Sequence, residues 1–285
     1  LATLGHEVVV YEAQEKSGGL NEYGLAAYKM AGDYAQKEVE DILSIGGIII
    51  KHGVKVGEDV SFAELQTNYD AVFMGVGLGT SKAMQLDGEQ ASGVINAVDY
   101  IHQLRQAEDL GKLSVGQNIV VIGGGMTAID IAIQIKRLGA ANVTMAYRRG
   151  KEHMNASLEE QEFALNEGVH IAHWAQPVSL HTEQGTITGV EFKKANIEGG
   201  ETYIMPTDML FKAIGQSLTP INMATIEFVK SYGKYEVDDE LRTSLPGVWA
   251  GGDCVAGSDD LAVSAVQDGK LAALSIHNTL TQSQA

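Results

Sequence analysis

Apolar positions along this chain follow two periods, and the switches between them outline the elements. Residues 7–11 (EVVVY) form a β-branched run that predicts a buried strand. Residues 1–6 before it read as the last turn of a helix closed by Gly5. A helix is expected over 33–45, ending at Gly46-Gly47, then short strands at 48–51 and 54–56. Residues 69–77 (YDAVFMGVG) are an apolar strand running into a glycine turn, and an amphipathic helix follows at 97–107. Short strands are expected at 169–173, 186–192 and 203–205. Residues 208–216 repeat the design of a strand ending in glycine. Residues 247–253 are a strand closing on Gly-Gly-Asp, with a helix expected over 262–280.

The segment between these halves is the most informative. A strand at 118–122 (NIVVI) leads into Gly123-Gly124-Gly125-Met126-Thr127-Ala128, which satisfies G-x-G-x-x-A. A helix at 129–138 with apolar residues at 129, 131, 132, 133 and 135 follows, then Gly139 and a strand at 142–147. Gly123 suits the tight turn, and Gly125 lets main chain approach a pyrophosphate. Ala128 lets helix and strand pack closely, and the helix N-terminus contributes partial positive charge. A glycine string set between strand and helix is a dinucleotide-binding unit. Its second strand ends on Arg148-Arg149, where guanidinium groups could hold a ribose 2′-phosphate or simply be solvated. The strand at 7–11 ends on Glu12, either a ribose-binding acid or an exposed strand-end carboxylate. Helix end, glycine, strand and acid form the second half of another such unit, whose first half is expected upstream. Asp253 reads either as a helix-capping turn residue or as a partner for ribitol and phosphate-bound water.

Composition narrows the chemistry. The 285 residues suggest about two domains. There are 33 Gly against 4 Pro, much of the glycine following β-branched runs as phosphate-cradling loops do. Lys plus Arg number 20 and Asp plus Glu 37, a net charge of −17, which argues against nucleic acid or anionic lipid as partner. No apolar run approaches the ~18 residues of a spanning helix, so neither membrane nor nucleic acid is expected, and a cytoplasmic location is. The single cysteine, Cys254, excludes a disulfide framework, a cysteine-ligated metal centre or a redox cysteine pair within these residues.

Together these stretches resemble the flavoproteins with two dinucleotide-binding domains. More narrowly they resemble the branch holding the small subunit of bacterial glutamate synthase and dihydropyrimidine dehydrogenase. The residues concerned are 11–24, YDAVFMGVG (69–77), VVIGGGMTAIDIA (120–132), AYRRGKEHM (146–154), KAIGQ (212–216), PGVWAGGDCV (246–255) and DGKLAA (268–273). GGLNEYGLAAYKM (18–30) and IGGGMTAID (122–130) are most similar to the flavoprotein subunits of NAD-dependent dihydropyrimidine dehydrogenases. The resemblance implies an α/β fold of two Rossmann-like domains in three layers. An FAD-binding domain would span 1–98 and 222–285, with an NAD(P)-binding domain, 99–221, inserted in it.

The resemblance also implies site residues. Glu12 would meet the FAD adenosine ribose, Gly19, Leu20 and Lys29 would line its path, and Val60 would lie near the adenine. Gly252, Asp253, Leu261, Ala262 and Val263 would sit near the pyrophosphate, ribitol and ring. Gly124, Gly125, Met126, Thr127, Arg148 and Arg149 would hold NAD(P)H, with Ala213, Ile214 and Gly215 closing over it. Hydride would pass from NAD(P)H to FAD with no acid–base side chain. Electrons would then leave through iron–sulfur clusters on a preceding segment or a partner. That partner would carry FMN and reduce uracil or thymine to the 5,6-dihydro form. Alternatives are the small subunit of glutamate synthase and a non-catalytic NAD(P)H-binding module. The departures are the missing first FAD glycine fingerprint and iron–sulfur domain, as in an excised fragment; Leu261-Ala262 in place of more polar residues; and Asn155 where NADPH-using relatives can have Arg.

Overall fold

A computed structural model describes residues 1–222 and 227–282. Along the chain its main elements are β1 (Val8–Glu12), α1 (Tyr34–Leu43), β2 (Ile48–His52), α2 (Phe62–Asn68), β3 (Val72–Met74), β4 (Val94–Asn96), α3 (Ala97–Gln106), β5 (Asn118–Ile122) and α4 (Met126–Arg137). There follow β6 (Asn142–Tyr147), α5 (Leu158–Asn166), β7 (His170–His173), β8 (Ala175–Glu183), β9 (Thr186–Lys194), β10 (Thr202–Pro206), β11 (Met209–Lys212), β12 (Val248–Ala250) and α6 (Ala262–Gln282).

The chain divides into two compact units. One holds Leu1–Asn21, Asp33–Thr80 and the chain from Gln216 on; the other holds Glu22–Gly32 and Ser81–Gly215. This division falls at 80/81 and 215/216, against the expected 98/99 and 221/222. β4 pairs in parallel with β11 (Leu210↔Val94, Lys212↔Asn96), so residues 81–98 belong to the second unit. Residues 22–32 also join it, held by side-chain contacts described below.

The second unit is built in three layers. Its central sheet is parallel throughout, in the order β4-β11-β5-β6-β7. Both faces are covered, which is why its strands read as continuous apolar runs. Ile119, Val121, Met145, Met209 and Phe211 pack toward α3, α4 and α5. Val120, Ile122, Ala146 and Leu210 pack toward an antiparallel meander, β10-β9-β8, through Ala175, Ile187, Val190 and Phe192. β8 escaped the sequence pattern because Pro177 and polar residues interrupt it; pairing with β9 makes it a strand. α4 starts at Met126, three residues before the expected start, and Ala128 through Ile135 are all buried. Burial of Asp130 and Gln134 exceeds what an amphipathic stripe needs, because residues 26–29 cover that face. Asp130 accepts hydrogen bonds from Tyr28 OH (2.8 Å) and the Ala26 amide (3.4 Å), and Gln134 Oε1 from the Ala27 amide (3.2 Å).

The first unit is more open. Its longer strands form two parallel pairs, β1–β2 and β3–β12, and Lys230–Ser231 pairs antiparallel with Lys234–Tyr235. The 7–11 run was expected to be buried; instead Val10 in β1 and Ile49 in β2 are exposed, 38% and 61%. The cause is uncovered sheet faces, since neither residue joins a buried cluster; among the described residues β1 and β3 also each leave one edge without a strand. Residues 54–56 form no strand, only an isolated bridge between Val56 and Val60. α6 packs on β12 through Trp249, Ala272 and Ile276, with the indole of Trp249 donating to Ser275 Oγ (3.0 Å). Among the described residues no helix is long and apolar enough to cross a membrane.

Candidate functional site

In the second unit the glycine loop sits at the C-terminal end of β5, between neighbouring strands β6 and β11. A Cβ on Gly123 would collide with the Ala213 carbonyl oxygen, and one on Gly124 with the Tyr147 ring. These two glycines are required by the protein's own packing. Gly125 differs: the nearest atom to a Cβ there is Asn155 Cβ, at 4.0 Å. Its backbone (φ −104°, ψ −177°) is open to any residue. Space for a side chain that none fills, at the start of an uncapped twelve-residue helix, fits a dinucleotide phosphate approaching the main chain.

The surrounding loops converge on this point. The Ala156 amide donates to Gly124 O (3.1 Å), and Tyr147 OH donates to His153 O (2.5 Å). The Ala213 amide donates to Ile122 O (2.9 Å), which sets Ala213, Ile214 and Gly215 beside Gly123. Met126 is exposed and Thr127 half-buried at the helix start. Arg148 and Arg149 are exposed, and among the described residues neither guanidinium has an ion pair or hydrogen bond. The nicotinamide-site residues implied by the sequence thus gather at the C-terminal ends of β5, β6 and β11.

Two contributors went unnoticed in the sequence. Lys212, at the end of β11, pairs with Glu89 (2.7 Å), and both side chains are largely buried. Glu89 also accepts from the Met84 and Gln85 amides (2.9 and 3.0 Å). Burial opposes its charge, but Lys212 and these amides hold its carboxyl below the usual range. No local signal marks a pair 123 residues apart. The other is α5, opened by a capping box: Ser157 Oγ accepts from the Glu160 amide, and Glu160 returns to the Ser157 amide. Ser-x-x-Glu would have announced it, as it would α2 at Ser61/Glu64.

Lys29 was expected along an FAD path. It lies in the second unit, bridging Asp130 Oδ1 (2.8 Å) and Glu160 Oε1 (2.6 Å). Burial disfavours its charge, yet these two carboxylates hold its pKa above the ordinary value.

The other FAD candidates lie in the first unit. Glu12 ends β1 half-buried, with Oε1 accepting from the Gln14 amide (2.9 Å). Gly19 has φ +53° and open space around it, and Leu20 is exposed. Val60 carries the bridge to Val56 and accepts from the Gly57 amide (2.7 Å). The Gly252 amide donates to Asp268 Oδ2 (2.8 Å), and a Cβ on Gly251 would lie 2.8 Å from Asp268 Cβ. Burial, then the nearby Asp260, raises the pKa of Asp253. Leu261, Ala262 and Val263 are exposed at the start of α6, beside a groove of about 340 Å³ lined by Gly257, Ser258, Asp259, Val263, Ser264, Gln267 and Asp268. The carboxylates there do not suit a phosphate, whereas Glu12 suits ribose hydroxyls.

The model for pyridine nucleotide-disulphide oxidoreductases matches residues 1–269. The chain belongs to that family. It is an oxidoreductase module working with FAD and NAD(P)H. It is 34% identical to the glutamate synthase [NADPH] small chain of Escherichia coli (strain K12), across 98% of this chain and 65% of that one. It is 33% identical to the NAD-dependent dihydropyrimidine dehydrogenase subunit PreT of Salmonella typhimurium, across 99% of this chain and 65% of that one. Of another curated relative, the NADP(+)-dependent formate dehydrogenase subunit beta of Moorella thermoacetica, it spans 42%. The solved thioredoxin reductase of T. acidophilum shares the fold, with a TM-score of 0.77 at 22% identity over 98% of this chain and 92% of that one.

Proposed function

We propose that the second unit binds NAD(P)H and the first FAD, and that electrons leave one at a time through iron–sulfur clusters outside these residues. They would reach an FMN-carrying partner that reduces the 5,6 double bond of uracil or thymine. The observation carrying this reading is the C-terminal edge of the parallel sheet, where Gly125 leaves room for a phosphate and two unpaired arginines stand beside it. A bound flavin supplies two-electron acceptance from the nicotinamide and one-electron release. The chain's own residues orient: Gly124, Gly125, Met126 and Thr127 take the pyrophosphate, Arg148 and Arg149 the adenosine end, and Ala213, Ile214 and Gly215 the nicotinamide end. Glu12 takes the FAD ribose; Gly19, Leu20 and Val60 lie along that cofactor, and Gly252, Asp253 and residues 261–263 near its ring.

Cys254 supports an exit away from thiols. It is fully buried, its Sγ facing the carbonyls of Met74 (3.4 Å) and Gly251 (3.2 Å), and burial pushes its pKa up. It is also the chain's one cysteine. The likeness to glutamate synthase small chains supports a second destination, amination of 2-oxoglutarate. Adding NADH to flavin-loaded full-length protein bleaches the flavin under this reading, whereas a non-catalytic module stays yellow. Co-purification with a pyrimidine-reducing subunit rather than a glutamate synthase large subunit then decides the destination.

The open edges of β1 and β3 give a further expectation. A parallel strand and helix seated between them would provide the pyrophosphate donors that the acidic α6 loop lacks. The 285 residues alone should therefore be colourless after gel filtration. Stoichiometric FAD absorbance would refute this.

Both nicotinamide nucleotides should bind, with NADH the working donor at modest preference. Asn155 adds no third positive charge to Arg148 and Arg149. Stopped-flow flavin reduction at two salt concentrations checks this. An NADPH preference above about tenfold, abolished by Arg148→Ala, would mean that the arginines read the 2′-phosphate.

A further inference from the structure

β7 lies beside β6 in register, Tyr147 opposite His173, so the residue that follows β7 stands level with Arg148. That residue is Trp174. It occupies the left-handed region, φ +58°, which a bulky aromatic side chain rarely adopts. Two main-chain bonds hold it there: its amide donates to Arg149 O (3.1 Å), and its carbonyl accepts from the Ala195 amide (2.8 Å). The loop after β6 is shaped around the indole. Gly150 has an ordinary backbone (φ −75°, ψ 166°) that does not call for glycine. What calls for it is space, since a Cβ there would lie 2.7 Å from Trp174 Cζ2 and 2.5 Å from Glu152 Oε1. Gly150 is buried, while the indole is half-exposed and Arg148 and Arg149 beside it are exposed. The neighbouring His173 keeps its Nε2 buried without a hydrogen-bond partner among the described residues.

A large aromatic ring held in a constrained backbone, half-exposed next to two unpaired guanidinium groups, is a stacking surface beside an anion site. We propose that Trp174 is the platform on which the adenine of the nicotinamide dinucleotide stacks, with Arg148 and Arg149 holding the adjoining ribose and phosphate. This rests on the nicotinamide reading of the second unit. A purine presents a flat π-face to an indole, and such stacking changes affinity by about one order of magnitude.

Binding of 5′-AMP, nicotinamide mononucleotide and NADH to the protein and to Trp174→Gly and Trp174→Phe, by calorimetry and tryptophan emission, tests the proposal. Glycine suits φ +58°, so Trp174→Gly keeps the fold and its melting temperature. It should weaken 5′-AMP and NADH by the same factor, about tenfold, and leave nicotinamide mononucleotide unchanged. Trp174→Phe should stay within about threefold of the parent, since phenyl also stacks. 5′-AMP should quench the parent's emission; the only other tryptophan, Trp249, is buried in the first unit and serves as constant background. Unchanged 5′-AMP affinity in Trp174→Gly overturns the platform, as do equal losses for both half-nucleotides. A parent protein that binds none of the three overturns the nicotinamide reading itself.

Discussion

Gly125→Ala should cut NADH affinity about 10- to 100-fold while the melting temperature stays within a few degrees of the parent. The added methyl meets only Asn155 Cβ, at 4.0 Å, so the fold accepts it. It projects into the space where main chain would approach a pyrophosphate, and forcing ligand and loop apart costs about 1–3 kcal/mol. The neighbouring glycines should behave in the opposite way. Gly123→Ala drives a methyl into the Ala213 carbonyl, and Gly124→Ala drives one into the Tyr147 ring. Both should destabilise the second unit by about 1–3 kcal/mol, with binding falling alongside. Calorimetric titration with NADH and thermal melts of the three variants separate the roles. If Gly125→Ala binds NADH as the parent does, no phosphate approaches there.

Lys29→Met should destabilise the second unit by about 3 kcal/mol. The ammonium spans Asp130, whose side chain is 3% exposed, and Glu160. Removing one member of a buried pair leaves the other charge uncompensated, at about 3–5 kcal/mol; the 27% exposure of Lys29 places it at the low end. Tyr28 OH would still donate to Asp130, but a neutral donor does not replace a cation. Adding Asp130→Asn should recover most of the loss, and Lys29→Arg should be nearly neutral. Denaturant melts of the singles and the double give the coupling directly. A role along an FAD path predicts something else: weaker flavin retention at unchanged stability.

Lys29 marks the limit of local pattern. Its motif, residues 18–30, was visible, but which unit it joins depends on contacts with Asp130 and Glu160, 101 and 131 positions away. The dinucleotide unit was legible because its signals are local. A β-branched strand, a glycine loop and a helix carrying Ile129, Ile131, Ile133 and Ile135 follow one another within 20 residues, and each choice agrees with the next. The helices after Ser61 and Ser157 are equally local, each marked by Ser-x-x-Glu.

By itself, then, the sequence determined the parallel α/β layout, the glycine loop at the end of β5, the arginines at the end of β6 and the single cysteine. These depend on side-chain period and on backbone freedom at particular glycines, both short-range properties. Tertiary structure alone decided the rest. Pairing of β4 with β11 moved residues 81–98 into the second unit. The Lys29 bridge carried residues 22–32 there as well. Close packing assigned Gly123 and Gly124 to the fold and left open space beside Gly125. Strand partners and buried ion pairs join residues far apart in sequence, and no local pattern encodes which distant group will fill a given space.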